Sequence, residues 1–129
     1  MVQVKIYGLG ENISPKRFAL SYAIHAALNE AIGTPEKKRF QRFIVLESDN
    51  FIYPSDRTFN YTIIEISMFE GRSIEAKKNL IRLLYQKIGE TTDITAQDLE
   101  ITIIETPRCN WGIRGFPGDE LEFNYNIDV

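Results

Sequence analysis

The chain is predicted to be a two-layer α+β protein, in which two fused β-α-β units form one four-stranded mixed sheet with two helices on one face. Three observations carry this. A strand, a helix and a second strand occur in that order twice, over about residues 1–47 and 61–105. Each helix has its own start signal, Ser14-Pro15 in the first unit and Ser73 in the second. Each connection is also of helix length, which links parallel strands by a right-handed crossover. Residues 106–129 are predicted to add a loop and a C-terminal strand to what remains a single domain.

Val2, Val4 and Ile6 alternate with Gln3, Lys5 and Tyr7, the period-two pattern of a strand with one face buried. Ser14 is a favoured N-cap and Pro15 suits the first helical position. Phe18, Tyr22, Ala23, Ala26, Ala27 and Ala31 then mark a packing face, and Gly33 stops the helix. Phe40 to Leu46 is rich in residues that favour a pleated surface. Glu47 to Asn60 has no period and is predicted as a loop carrying Phe51, Tyr53, Pro54, Asp56 and Arg57. In the second unit Tyr61 to Met68 is a strand, Ala76, Leu80, Leu83, Leu84 and Ile88 stand at helical core spacing, and Thr95 to Asp98 has capping-box spacing before a strand over Leu99 to Glu105. Trp111 to Gly118 reads as a glycine-rich loop. Leu121, Phe123, Tyr125 and Ile127 then alternate as a short strand, either at the edge of the chain's own sheet or added to a neighbouring subunit's.

A net charge of -3 gives no general attraction to phosphate backbones, so no nucleic-acid partner is expected. No apolar run approaches the length of a membrane span and no signal segment is visible, so a cytoplasmic protein is expected. Cys109 and His25 are the only residues of their kinds, so neither an intrachain disulfide nor a metal site is expected, and no cofactor is implied. A chain of this length buries a modest core, and association is expected.

Arg72 is the first candidate binding residue. Glu70-Gly71-Arg72-Ser73 joins strand to helix, so a planar guanidinium lies beside a helix N-terminus, an arrangement suited to a small carboxylate. The alternative is a structural ion pair with Glu70 or with a neighbouring subunit. Arg57 and Arg114 lie in loops able to close over a pocket. Arg39, after a Lys-Lys pair, is either a site residue or a solvated edge arginine. Trp111 stacks on substrate or packs a subunit boundary. Tyr53 and Tyr125 are candidate acids. His25 is expected at the solvent edge of its helix or in a satisfied hydrogen bond, and Cys109 as a passive thiol.

The duplicated unit, Glu-Gly-Arg-Ser at 70–73, Gly-Thr-Pro at 33–35 and Glu-x-Pro-x-x-Asn-Trp-Gly at 105–112 together resemble the tautomerase superfamily over almost the whole chain, most of all its long members with two fused units, such as malonate semialdehyde decarboxylase. The resemblance implies a 4-oxalocrotonate tautomerase-like or MIF-like fold and a homotrimer with sheets inside and helices outside. It also implies a small-carboxylate site at each subunit boundary. Its base is an N-terminal proline, with arginines, here Arg72, on the substrate carboxylate. Position 2 is Val2, and no proline precedes Pro15. Removal of Met1 would give Val2 a primary amine with an unperturbed pKa of about 7.7 to 8.0. Lys38 stands where decarboxylase-like members have an acid, and Glu70 where they have a second arginine. Two readings follow: an isomerase-like enzyme for a small enol or 2-oxo carboxylate with the Val2 amine as base, or a non-catalytic trimer that binds a carboxylate or serves a structural role.

Overall fold

In the computed structural model, which describes residues 1–122, six strands and three helices follow one another along the chain. β1 (Val2–Leu9), β2 (Gln41–Leu46), β3 (Thr62–Phe69) and β4 (Leu99–Thr106) form a sheet of order β2-β1-β3-β4. β1 is parallel to β2 and β3 to β4, while β1 and β3 run antiparallel, with Val2 opposite Met68 and Gly8 opposite Thr62. This is the predicted mixed sheet of two β-α-β units. α2 (Arg17–Ile32) and α3 (Ile74–Thr91) cover one face and pack on each other. The core lies between the layers: Val2, Val4, Ile6, Ile64, Ile66 and Met68 from the sheet meet Leu20, Ile24, Leu28, Leu80, Leu84 and Ile88 from the helices. Burying this aliphatic set is the main force holding the layers together.

Two helix boundaries agree with their sequence signals. The Ser73 hydroxyl accepts the Ala76 N–H at 3.1 Å, and Gly33 caps α2 at φ 71°. Two others differ. The chain turns helical at Gly10, as the short α1 (Gly10–Ile13), and runs through a 3-10 turn at Ser14–Lys16 into α2. The Ser14 N–H already bonds the Gly10 carbonyl, so its side chain caps nothing; Pro15, lacking an N–H, falls where α-helical bonding lapses. Thr95 makes no cap either. Asp98 instead accepts the Thr58 N–H at 2.8 Å and the Thr58 hydroxyl, tying the 47–60 loop to the start of β4.

The packing face of α2 is rotated from the predicted one. Leu20, Ala23, Ile24, Ala27 and Leu28 are buried, whereas Phe18 and Tyr22 are 93% and 64% exposed. The branched aliphatic stripe at 20, 24 and 28 faces the sheet, and the aromatic pair at 18 and 22 lies about 140° round the helix, toward solvent. His25 is buried, its Nε2–H donating to the Pro35 carbonyl at 2.9 Å, the satisfied hydrogen bond expected of it.

The predicted glycine-rich loop contains a minimal hairpin. β5 (Gly112–Ile113) pairs antiparallel with β6 (Phe116–Pro117) across Arg114 and Gly115. Both turn residues have positive φ, 50° and 89°, as a type I′ turn requires. The predicted C-terminal strand over Leu121 to Ile127 lies almost wholly in residues 123–129, outside the described residues.

Candidate active site at the N-terminal strand end

The parallel strands β3 and β4 end side by side, next to the start of β1. Glu70 N–H bonds the Thr106 carbonyl at 3.0 Å, holding the two exits together. Gly71, at φ 132°, then turns the chain into α3 and leaves Arg72 beneath the strand end. Arg72 is only 5% exposed, and its Nη1 donates to the Phe69 carbonyl at 3.2 Å. A guanidinium this buried is held by packing and hydrogen bonding, so its position is preorganised.

After β4, a 3-10 turn at Arg108–Asn110 brings Trp111 back over the strand ends. The indole Nε1–H donates to Thr106 Oγ1 at 2.7 Å, and the ring meets Phe69 edge to face at 5.3 Å and 86°. The Arg108 guanidinium sits 5.8 Å from the centre of the Phe69 ring. Phe69 and Ile113 are buried in a small second cluster against which Met1, Trp111 and Leu121 pack. Gly118 closes it: its N–H bonds the Trp111 carbonyl at 2.7 Å, and a Cβ there would come within 2.6 Å of the Arg108 carbonyl oxygen.

Into this apolar patch comes the first amine of the chain. Burial, and then the charges of Arg72, Arg108 and Lys38, lower the Met1 amine pKa from 8.0 to about 5. Both causes disfavour the ammonium, one by desolvation and the other by like-charge repulsion. The result is a primary amine largely unprotonated near pH 7, under the charge of Arg72, Arg108 and Lys38, on a residue packed against Phe69 and Ile113.

Of the residues singled out from sequence, Arg72 and Trp111 meet at this point. With Met1 in place the Val2 nitrogen is a peptide nitrogen, and the Val2 side chain is buried in the main core. Arg39 lies elsewhere, bonded to Glu36 and, at 3.4 Å, to Ser21; its neighbour Lys38 is the one whose charge reaches the amine. Arg57 is at the opposite end of the sheet, paired with Asp56 at 2.9 Å and Glu100 at 2.8 Å. Arg114 is exposed at the hairpin tip. Arg108, Phe69, Ile113 and Gly118 were not anticipated from sequence. Topology held a signal for Arg108, because it follows a strand parallel to the one that delivers Arg72, and sites gather at the carboxyl ends of parallel strands. Among the described residues no group of three or more His, Cys, Asp or Glu is arranged to hold a metal ion.

A family model described as "Tautomerase enzyme" matches residues 38–114, the stretch that contains Lys38, Arg72, Arg108 and Trp111. The chain belongs to the tautomerase family. A probable tautomerase of Ralstonia nicotianae is 34% identical over 55 residues, 43% of this chain and 79% of that protein. A 2-hydroxymuconate tautomerase of Pseudomonas putida is 37% identical over 57 residues, 44% of this chain and 90% of that one. These tautomerases match less than half of a chain that itself holds two β-α-β units. Solved structures share the whole fold. Malonate semialdehyde decarboxylase superposes with a TM-score of 0.80 at 19% identity, over 92% of this chain and 99% of its own. A fused 4-OT solved as an asymmetric trimer gives 0.78 at 21% identity, over 91% and 96%. No helix among the described residues of this chain is long and apolar enough to cross a membrane.

Proposed function

We propose that the protein is a working tautomerase for a small enol or 2-oxo carboxylate, with the α-amine of its first residue as the proton-transfer group. The observation that carries this is an amine lowered to about 5 beside Arg72, Arg108 and Lys38. That amine is on Met1; if Met1 is removed, the role falls to Val2. Arg72 and Arg108 hold the carboxylate, and Phe69, Ile113 and Trp111 keep the reacting end dry. The amine removes the enol hydroxyl proton and returns it to carbon. Negative charge on the oxygen rises next to fixed guanidinium groups, which strengthens their hold in the transition state.

We also propose a homotrimer in the cytoplasm with each site at a subunit boundary. The fused 4-OT neighbours solved as trimers support this, as does a sheet face that the helices leave open, where Lys5, Tyr7, Ile44, Ile63, Glu65 and Ile104 lie. Within one chain Arg39, Arg57 and Arg114 stand apart from Met1, so a part for them in the pocket requires a neighbouring subunit. Light scattering checks assembly independently of activity.

The test is ketonisation of phenylenolpyruvate by the wild-type chain, an N-terminally acetylated chain and Arg72→Ala. Acetylation should abolish activity, and Arg72→Ala should lower kcat/KM about 100-fold, roughly 2.7 kcal/mol of transition-state stabilisation. An acetylated chain as active as wild type would remove the amine from the mechanism. The second reading, a non-catalytic trimer that binds carboxylates, is favoured by Val2 in place of proline. It would stand if the wild-type chain bound phenylpyruvate through Arg72 without ketonising its enol.

A further inference from the structure

We propose that the outer face of α2 is a second association surface, through which two copies of the chain pair about a two-fold axis with these helices antiparallel. Phe18, Tyr22, Ala26 and Asn29 follow one another at spacings of four, four and three residues, which puts them on one stripe of the helix. None of the four is buried, while Leu20, Ala23, Ile24, Ala27 and Leu28 fill the core, so the stripe points away from the sheet. It is separate from the strand-end pocket and from the open sheet face. Its first half is aromatic, with Phe18 93% and Tyr22 64% exposed, and its second half is small. Adjacent aromatic side chains left this open mark an association site, unlike apolar residues scattered singly over a surface.

Beside the small half of the stripe lies an open trough of about 350 Å³, walled by Tyr22, Ala26, Asn29, Glu30, Glu36 and Lys87 with Arg39 at its edge. A cavity of about 150 Å³ is enough to take a benzene ring, so the trough has room for an aromatic side chain. The chain's own Phe18 stands eight residues before Ala26, about 12 Å along the same helix, and cannot turn into it. A second copy supplies the ring. When two α2 helices lie antiparallel with the axis at the level of Ile24, Phe18 of each falls opposite Asn29 and Glu30 of the other, and Tyr22 falls opposite Ala26. Large meets small twice, once on either side of the axis, as an isologous contact requires.

Charge selects the same pairing. Arg17 begins α2 and makes no ion pair among the described residues. Glu36 is taken by Arg39, whereas Glu30, near the other end of α2, has Lys87 only at 3.4 Å and a side chain 58% exposed. The antiparallel arrangement sets Arg17 of one copy against Glu30 of the other at both ends of the contact. It also moves Arg17 from the positive end of its own helix dipole to the negative end of the partner's. A parallel arrangement would set Arg17 on Arg17 and lose both gains.

The test is the molar mass of the full chain by sedimentation equilibrium over a concentration series, for wild type and for Phe18→Ser/Tyr22→Ser. At the top of the series wild type should have twice the mass of the double variant, whatever assembly the open sheet face builds in both. The two aromatic side chains lie outside the core, so the variant should keep the wild-type circular dichroism and urea midpoint. Arg17→Glu alone, and Glu30→Arg alone, should each raise the concentration needed for half-association about tenfold, because like charges then face each other at two places. Arg17→Glu combined with Glu30→Arg should bring it back to within about threefold of wild type. Equal masses for wild type and the double variant would overturn the proposal. A threefold ratio would overturn it too, since the stripe would then belong to a ring contact. Two weakened single variants with no recovery in their combination would overturn the antiparallel pairing.

Discussion

The two ends of the sheet are built alike and finished differently. At one end β1 begins, β3 and β4 arrive, and a 3-10 turn at Arg108–Asn110 returns an aromatic residue, Trp111. At the other end β3 begins, β1 and β2 arrive, and a 3-10 turn at Ser48–Asn50 returns Phe51. The turn hydrogen bonds correspond: Trp111 N–H to the Arg108 carbonyl at 3.1 Å and Phe51 N–H to the Ser48 carbonyl at 3.4 Å. Where Arg72 leaves β3, Asn12 follows β1. It is fully buried and donates to the Asn60 carbonyl at 2.9 Å and to Thr62 Oγ1 at 3.0 Å. The charged end keeps a terminal amine. The far end has a peptide there instead, sealed by the Asn12 and Asn60 amides, which Lys16 Nζ joins, and by Tyr61 stacked on Phe51 at 5.3 Å. The two frames share a shape, but only the one where β1 begins has a terminal amine at that position; at the other the corresponding nitrogen is a peptide nitrogen.

The largest effect should come from breaking the sealed end. Phe51 contacts both Tyr53 and Tyr61, and the Tyr61 hydroxyl bonds Glu100, which in turn pairs with Arg57. Phe51→Ala removes the centre of this stack and should cost about 2–3 kcal/mol in urea unfolding, below the full value for a buried phenylalanine because Phe51 is half-buried. Ketonisation by the folded protein should stay within about twofold of wild type. A fall in activity as large as that of Arg72→Ala would show that the ends are coupled and sink the comparison.

The next effect separates the ends by pH. The folded Met1 amine titrates near 5 against an ordinary 8.0, so between these values the unfolded chain binds more protons than the folded one. Stability should therefore rise with pH across that window and level off above 8. The far end behaves oppositely. Burial, followed by the hydrogen bond to Glu100, pushes the Tyr61 phenol from 10.0 up to about 12. There the folded state holds the extra proton, so stability should fall as pH climbs from 10 toward 12. Urea midpoints measured across the range, with an acetylated chain and Tyr61→Phe as controls, test each arm. If acetylation leaves the acid arm unchanged, the Met1 amine is not the group responsible.

Much of the frame was legible in the sequence because it depends on patterns with fixed periods. Alternation in β1 and β3 and the caps at Ser73 and Gly33 are local, and they gave the strands, the helices and the mixed sheet. The candidate site was legible only where a motif marked it, at Arg72 and Trp111. Lys38, Phe69 and the Arg108–Ile113 segment converge through tertiary structure from three separate stretches of chain, and nothing in the spacing of any one of them reports the others. The misreading of Phe18 and Tyr22 has a related cause: aromatic residues look like core in a sequence, yet here the narrower side chains of Leu20 and Ile24 face the sheet. Ser14-Pro15 failed because a helical turn had already begun at Gly10, a residue type that favours no helix by itself.

The smallest effect concerns Arg114, which belongs to the charged end by sequence and to its hairpin by structure. Its φ of 50° puts a long side chain in the left-handed region, which costs a residue other than glycine, asparagine or aspartate about 1 kcal/mol. Arg114→Asn restores the Asn-Gly pair that a type I′ turn prefers and should stabilise the fold by about 0.5 kcal/mol. The same substitution asks whether the side chain reaches substrate across a subunit boundary. If Arg114 only forms the turn, kcat/KM holds while the urea midpoint rises; if it holds a carboxylate, kcat/KM drops about tenfold while the midpoint still rises. The second outcome would widen the charged end beyond one chain, and Arg114 would then be a strained residue kept for binding rather than for the turn.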